Sequence, residues 1–201
     1  MQDIQHGDLL VGHADRYLGE CLRTWRVLNR MKQEHAAELL GISQPSVSRI
    51  EKGLLLPSAD ERAAIVDLLA ARLTSAADHE LVHLVDSSTV SVHVVCDLTH
   101  RLLVASPARR REFRVPYADL LGQSLWRFAT AEFETLEQKM PELGWFDGTA
   151  PALRVDTQGR DWCEVVIPRG TFKYVRFRLA NGSHVRLIET LRHSDEAKRA
   201  A

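Results

Sequence analysis

Between Gly41 and Gly53 the chain reads GISQPSVSRIEKG, and four of its side chains have the chemistry to read bases. Gln44 can bond adenine through both amide atoms, Arg49 can bond the two acceptors of guanine, and Pro45 can pack on a thymine methyl. Ser48 stands about one helical turn after Gln44 and can donate or accept. Ser43, Ser46 and Lys52 flank this set and suit phosphate oxygens, as do Gln33 and the backbone N–H groups at helix starts. Such groups act together only if a rigid element presents them in one array.

The surrounding text supplies that element. From Asp15 to Asn29 the apolar residues Leu18, Cys21, Leu22, Trp25 and Leu28 recur at helical spacing and form one stripe. A second, short helix fits Gln33 to Leu40, ended by Gly41, the residue type expected just past a helix end. Ser43 is suited to cap a third helix, with Pro45 in its first turn, where a missing N–H costs nothing. On that helix Val47 and Ile50 face inward, which leaves Gln44, Pro45, Ser48 and Arg49 outside. Gly53 stops it. Ser58 and Glu61 have the spacing of a capping box and open a fourth helix, whose apolar face is Ile65, Val66, Leu69 and Leu73. Two short helices, a tight turn and a third helix make a helix-turn-helix, a unit that offers the third helix to the DNA major groove.

The text LRTWRVLNRMKQEHAAELLGISQPSVSRIEKGLLLPS, within a span from about Tyr17 to Leu73, resembles the Cro/repressor (Xre) family of helix-turn-helix domains. Gln33 opens helix two, Ala37 is the small residue at the helix crossing, Gly41-Ile42-Ser43 is the turn, and Ile50-Glu51-Lys52-Gly53 closes helix three. The resemblance implies that Arg26 pairs with Glu51, tying the first helix to the end of the recognition helix. Lys32 departs from the usual Ser or Thr cap, and Ala36 from a larger apolar residue, so looser packing is expected at helix two. Some members of the family serve instead as protein-binding modules or antitoxins.

Charge adds a constraint. The whole chain carries 26 Lys and Arg against 27 Asp and Glu, a net of -1. Residues 1–74 hold nine basic and ten acidic side chains, again a net of -1. Only a face around Gln33, Arg49 and Lys52 can be basic, so one such unit would hold DNA weakly. Two on a homodimer would read half-sites about 34 Å apart. Cys21, Cys96 and Cys163 are far apart and match no metal-ligand spacing, so neither zinc nor a disulfide framework is expected. The amino terminus lacks the pattern of a signal peptide, and no apolar run is long enough for a membrane span. A cytoplasmic protein is the expectation.

After about Thr74 the text changes. Residues 76–86 read as a further helix or connector. VSVHVVCD and RLLVAS then alternate like a hairpin, helical and loop text runs to about Thr149, and PALRVDT, WCEVVIP and TFKYVRFRLANGSHVRLIETL return to strands. Asn181-Gly182 marks a hairpin. The pattern of residues Val90 to Leu191, with Gly122 in ADLLGQSLWRF, is similar to a PAS-type sensor domain, or to the PAS-like ligand domain of MmyB-like regulators. It lacks the asparagine often found at the end of strand two, having Ala105-Ser106 instead. The resemblance implies a five-stranded antiparallel sheet that can enclose a small ligand, and frequent dimerisation.

Trp126, Phe128, Trp145 and Phe146 could line a ligand pocket, although aromatic residues more often fill a core. A lone histidine such as His93, His100 or His184 is more often a surface or satisfied core residue than a haem ligand, so no cofactor is expected, haem included. The run Arg109-Arg110-Arg111-Glu112-Phe113-Arg114 reads as a solvated helix face.

The fold class expected is α+β: a helix-turn-helix domain over residues 1–75, a helical linker over 76–89, a PAS-like domain over 90–192 and a flexible tail over 193–201. The function expected is a dimeric, sequence-specific transcription regulator whose affinity for double-stranded DNA is modulated through a PAS-like domain that serves ligand sensing or dimerisation, with a small-molecule ligand or a protein partner. The alternative is an antitoxin-like interaction module whose C-terminal domain grips a protein. No nucleophile elbow, P-loop, dinucleotide fingerprint or metal motif is present, so catalysis is not expected.

Overall fold

The computed structural model describes residues 4–191, with side chains from Arg16 onward. The expected tail, 193–201, lies outside the described residues. The chain divides into two compact units between Ala70 and Ala71.

The first unit is helical: α1 (Ile4–Leu28), α2 (Gln33–Leu40), α3 (Gln44–Glu51) and α4 (Ala59–Leu69). Local chemistry sets its boundaries. Gly41 ends α2 in the left-handed region at φ 66°, a conformation glycine adopts without steric cost. The Ser43 hydroxyl caps α3 by accepting from the Ser46 N–H. Ser58 and Glu61 form the expected reciprocal box at the start of α4. Lys32 precedes α2 without a side-chain cap, as its departure from Ser or Thr implies.

Leu18, Cys21 and Leu22 of α1 pack with Ala36, Ala37, Val47, Ile50, Ile65 and Leu69 in the buried centre of the unit. Leu28, at the end of the predicted stripe, is 38% exposed because α1 stops there. Leu73 does not extend the face of α4, which ends at Leu69; it packs on the core of the second unit. At Gly19 the α1 backbone runs close to α3: an added Cβ would stand 2.2 Å from the Ile50 carbonyl oxygen. Any side chain there would push the third helix away.

The second unit opens with α5 (Ala76–Asp86). The expected linker, 76–89, thus contains a helix that packs on the sheet, with Val85 buried among Val92, Val94, Cys96 and Val104. The strands β1 (Val92–Cys96), β2 (Leu102–Ala105), β3 (Leu153–Thr157), β6 (Gly170–Arg178) and β7 (His184–Leu191) form one antiparallel sheet in the order β2-β1-β7-β6-β3. This is the five-stranded sheet that the PAS resemblance implies. Between β2 and β3 run α6 (Pro107–Arg110), α7 (Tyr117–Leu120), a 3-10 turn over Leu125–Phe128 and α8 (Ala131–Lys139).

WCEVVIP does not become a strand of that sheet. Only Val166–Ile167 is extended, as β5, paired with β4 (Arg160–Asp161) in a separate small ribbon. Val165 and Ile167 bury themselves in the aromatic core instead of joining the sheet. The β6–β7 hairpin turns at Leu179–Ser183, with Gly182 at φ 84° beside Asn181, as the Asn-Gly signal predicted.

Alternation assigns the two faces of the sheet. Val92, Val94, Cys96 and Val185 face α5, whereas Val95, Phe172, Tyr174 and Ile188 face the core beneath α6 to α8. Asp78 fixes α5 in place. Its carboxylate accepts from the Thr74 and Ser75 N–H groups at 3.0 Å and, across the sequence, from the Ala180 N–H at 3.2 Å.

These bonds hold the Asp78 carboxyl at about 2, below its ordinary value of 3.8. A carboxylate with a depressed folded pKa stabilises the fold fully above its unfolded pKa and loses that contribution as pH falls toward the folded value. Stability should therefore fall between pH 3.8 and about 2. Asp78→Asn should lower the urea midpoint at neutral pH and flatten its decline over that acid window; equal slopes for both proteins would refute this role.

Candidate nucleic-acid interface and sensor cavity

A chain of hydrogen bonds builds the face of the third helix. The Arg26 guanidinium grips Glu51 with two bonds, Nε to Oε1 at 2.6 Å and Nη2 to Oε2 at 2.9 Å, and its Nη1 donates to the Met31 carbonyl at 3.0 Å. Gln33 Nε2 donates to the same carboxylate at 2.8 Å, and Gln44 Nε2 donates to Gln33 Oε1 at 2.8 Å. The ion pair implied by the resemblance is present. Burial opposes ionisation of Glu51, yet the bonds from Arg26 and Gln33 outweigh it and hold the carboxyl below the usual range.

The bond to Gln33 fixes the orientation of the half-buried Gln44 amide. Pro45 and Arg49 are exposed and Ser48 is half-buried, while Val47 and Ile50 fill the interior. Positions 44 and 48, like 45 and 49, lie one turn apart, so all four predicted base-reading residues share one side of α3. Of the predicted phosphate set, Ser43 and Ser46 sit 2.8 Å apart at the start of α3, Lys52 is exposed at its end, and Gln33 opens α2.

The sheet unit contains a second polar construction. Strand register sets Arg176 directly opposite Arg186, a like-charge pairing that is unfavourable alone. Asp97, just past β1, answers it. Asp97 accepts from Arg176 Nε at 2.7 Å, from Arg186 Nε at 3.1 Å and from Trp145 Nε1 at 3.0 Å. Arg186 also bonds Glu137 of α8 through Nη1 at 2.6 Å and Nη2 at 3.2 Å, and its Nη1 lies 3.0 Å from His100 Nε2. Arg186 and Asp97 are each 1% exposed, so this network lies in the interior. Burial works against both carboxylates, but the guanidinium groups prevail and hold Asp97 and Glu137 below the ordinary carboxylate range.

Beside the network lies a cavity of about 50 Å3. Its lining includes His93, Arg109, Tyr174 and Arg186 among apolar and aromatic walls. Of the four aromatic residues predicted to line a pocket, Trp126 and Phe128 do so. Trp145 and Phe146 do not. Trp145 is committed to Asp97, and the Phe146 carbonyl accepts from Arg176 at 3.0 Å.

The arginine run is not a uniform solvated face. Ser106 caps α6, accepting from the Arg109 N–H, and this phase turns Ala108 and Arg109 inward. Arg109 is 2% exposed and pairs with Glu112. Arg110 pairs with Asp86 and lies over the Tyr117 ring, and Arg114 pairs with Asp161 at 2.8 Å; Arg111 is exposed. Sequence reasoning missed Asp97, Arg109, Glu137 and Arg186. The one available signal was Ser106-Pro107, a helix start that fixes which of the following arginines points inward.

The fold and its two sites define a helix-turn-helix region followed by a PAS-like α+β unit. Residues 17–79 match the profile of a family described as "Helix-turn-helix domain". No curated protein is significantly similar to the chain. Among solved structures, the PAS domain of BvgS from Bordetella pertussis is similar at 13% identity over 61% of this chain and 91% of that one, with a TM-score of 0.38. The PAS domain of an HTR-like protein from Haloarcula marismortui is similar at 15% identity over 57% and 90%, with a TM-score of 0.37. An RNA-binding Light-Oxygen-Voltage receptor is similar at 10% identity over 98% of this chain and 65% of that one, with a TM-score of 0.43. Among the described residues no helix is long and apolar enough to cross a membrane.

Proposed function

We propose that the protein is a dimeric, sequence-specific transcription regulator of the Xre type, whose helix-turn-helix reads DNA and whose PAS-like unit adjusts that reading. The observation that carries this is the Arg26–Glu51–Gln33–Gln44 chain of bonds, which holds a polar reading side chain in a fixed orientation beside the exposed Pro45 and Arg49. A merely solvated helix has no need of such bracing. With a near-neutral unit, two copies on a two-fold symmetric site supply the affinity that one lacks. Coupling from the PAS-like unit to DNA would be worth about 1–3 kcal/mol, the usual range for such linkage.

Selection of genomic fragments by the purified protein tests the reading. The expected result is a shared two-fold symmetric motif that the Gln44→Ala/Arg49→Ala variant no longer enriches, since each bidentate base contact contributes about 1–3 kcal/mol of discrimination. No motif from folded protein at moderate salt would reject the DNA-reading role and favour the interaction module.

A further inference from the structure

The cavity in the sheet unit holds two polar atoms that the fold leaves unpaired. His93 is 4% exposed and Arg109 is 2% exposed, and both line the cavity. The Nδ1 of His93 and the Nε of Arg109 are buried and have no hydrogen-bond partner. A buried guanidinium N–H without an acceptor is costly, and native folds leave such groups unpaired mainly where something else is to supply the partner.

A trapped water answers this poorly, because a water needs two to four polar neighbours and most of the lining is apolar. The missing partner must bring acceptor oxygens and an apolar body. Arg109 Nε can only donate, and His93 Nδ1 donates in one tautomer and in the protonated ring. A carboxylate offers one acceptor oxygen to each of them, and its charge strengthens the bond to the guanidinium. Size narrows the class. A dry cavity of about 150 Å3 holds benzene, so the 50 Å3 present here admits only a few non-hydrogen atoms.

We propose that this cavity binds a short monocarboxylate of about two or three carbons, with its carboxylate between Arg109 and His93 and its alkyl end against Phe128, Phe133 and Phe172. The assignment names the ligand class for the sensing role proposed above and rests on that role for its regulatory meaning.

Charge makes the binding pH-dependent. Glu112 already neutralises Arg109, while Asp97 and Glu137 neutralise Arg176 and Arg186. An added anion therefore requires a proton, and the group beside it that can take one is His93. Burial, then the neighbouring Arg109, keep that ring neutral in the empty site. The His100 ring is engaged by Arg186 and Glu137, and burial pushes the Tyr174 hydroxyl upward. Binding should take up one proton, and affinity should fall about tenfold for each pH unit between the depressed His93 value of the empty site and the higher value of the filled one.

The test is calorimetric titration of the full chain, without DNA, with acetate, propionate and butyrate. Propionamide, 1-propanol and sodium chloride serve as controls at equal ionic strength. The expected result is saturable binding of a carboxylate between about micromolar and millimolar affinity, none by the controls, and uptake of one proton read from buffers of different ionisation enthalpy. Arg109→Met should abolish binding, and His93→Phe should abolish both binding and proton uptake. If either variant fails to fold, the wild-type contrast between propionate and propionamide still decides.

Equal binding of propionamide, binding without proton uptake, much tighter binding of octanoate than of propionate, or no carboxylate binding would each overturn the proposal. Because DNA is absent, failure of the fragment selection would leave a positive titration standing, and the reverse holds as well.

Discussion

Replacing Arg186 with methionine should remove about 3–5 kcal/mol from the stability of the sheet unit, the range for breaking a buried charge pair. The size of the effect follows from what is left behind. Asp97 and Glu137 both depend on Arg186, and side-chain exposure at those three residues is only 1%, 14% and 1% in that order. Arg176 would still hold one oxygen of Asp97, but Glu137 would be left, among the described residues, with the His100 imidazole at 3.5 Å. An ionised carboxylate in the interior then costs several kcal/mol unless it takes up a proton. Methionine nearly preserves the volume, so a cavity is not the cause.

Urea unfolding followed by the fluorescence of Trp126, Trp145 and Trp162 would read this as a midpoint lower by roughly 2 M, for a slope of about 2 kcal/mol/M. Adding Glu137→Gln to Arg186→Met should recover part of the loss, because the unpaired charge goes with it. A single variant within about 0.5 kcal/mol of wild type would show that the network is not a buried ion cluster.

Arg26→Ala should have the second large effect, about 3–5 kcal/mol on the helical unit by the same rule. Glu51 has a side-chain exposure of 2%, and Arg26 supplies two of its bonds. A helical unit of this size has a total stability of only about 4–10 kcal/mol, so the loss would be a large part of the whole. The change should also reach the reading face. Gln33 donates to Glu51 and accepts from Gln44, so an unanchored carboxylate frees the amide that orients Gln44.

The expected result is an earlier urea transition at Trp25 and weak, non-selective DNA binding. Arg26→Lys should fall in between, since an ammonium cannot make the paired bonds of a guanidinium. The double change Arg26→Met/Glu51→Met should restore stability while leaving DNA selection impaired, because the bracing of Gln33 is gone. If that double variant selected the wild-type motif, the bonding chain would have no part in reading.

The parts of this protein written in the sequence are those set by neighbours in the chain. The Ser43 cap, the Gly41 stop and the Ser58/Glu61 box each involve groups within a few residues, and each forms where the text places it. The helical stripe of α1 and the alternation of β1, β2, β6 and β7 were equally legible, because periods of 3.6 and 2 show in a single strand of text. The Arg26–Glu51 pair, 25 residues apart, came from family resemblance, since no spacing rule reaches that far.

What tertiary structure alone decided depends on register and burial. Asp97 meets Arg176 and Arg186 across 79 and 89 residues, and only the pairing of β1, β7 and β6 brings them together. WCEVVIP has the composition of a central strand, but Val165 and Ile167 lie in the aromatic core and only Val166–Ile167 is extended, in a separate ribbon. Arg109 shares its text with three exposed or half-exposed arginines, and the helix phase set by Ser106 singles it out for the interior. A charged side chain is read as solvated by default because burying it is costly. Whether a partner such as Glu112 or a cavity such as this one offsets that cost is a property of the folded arrangement, and no local pattern of residues encodes it.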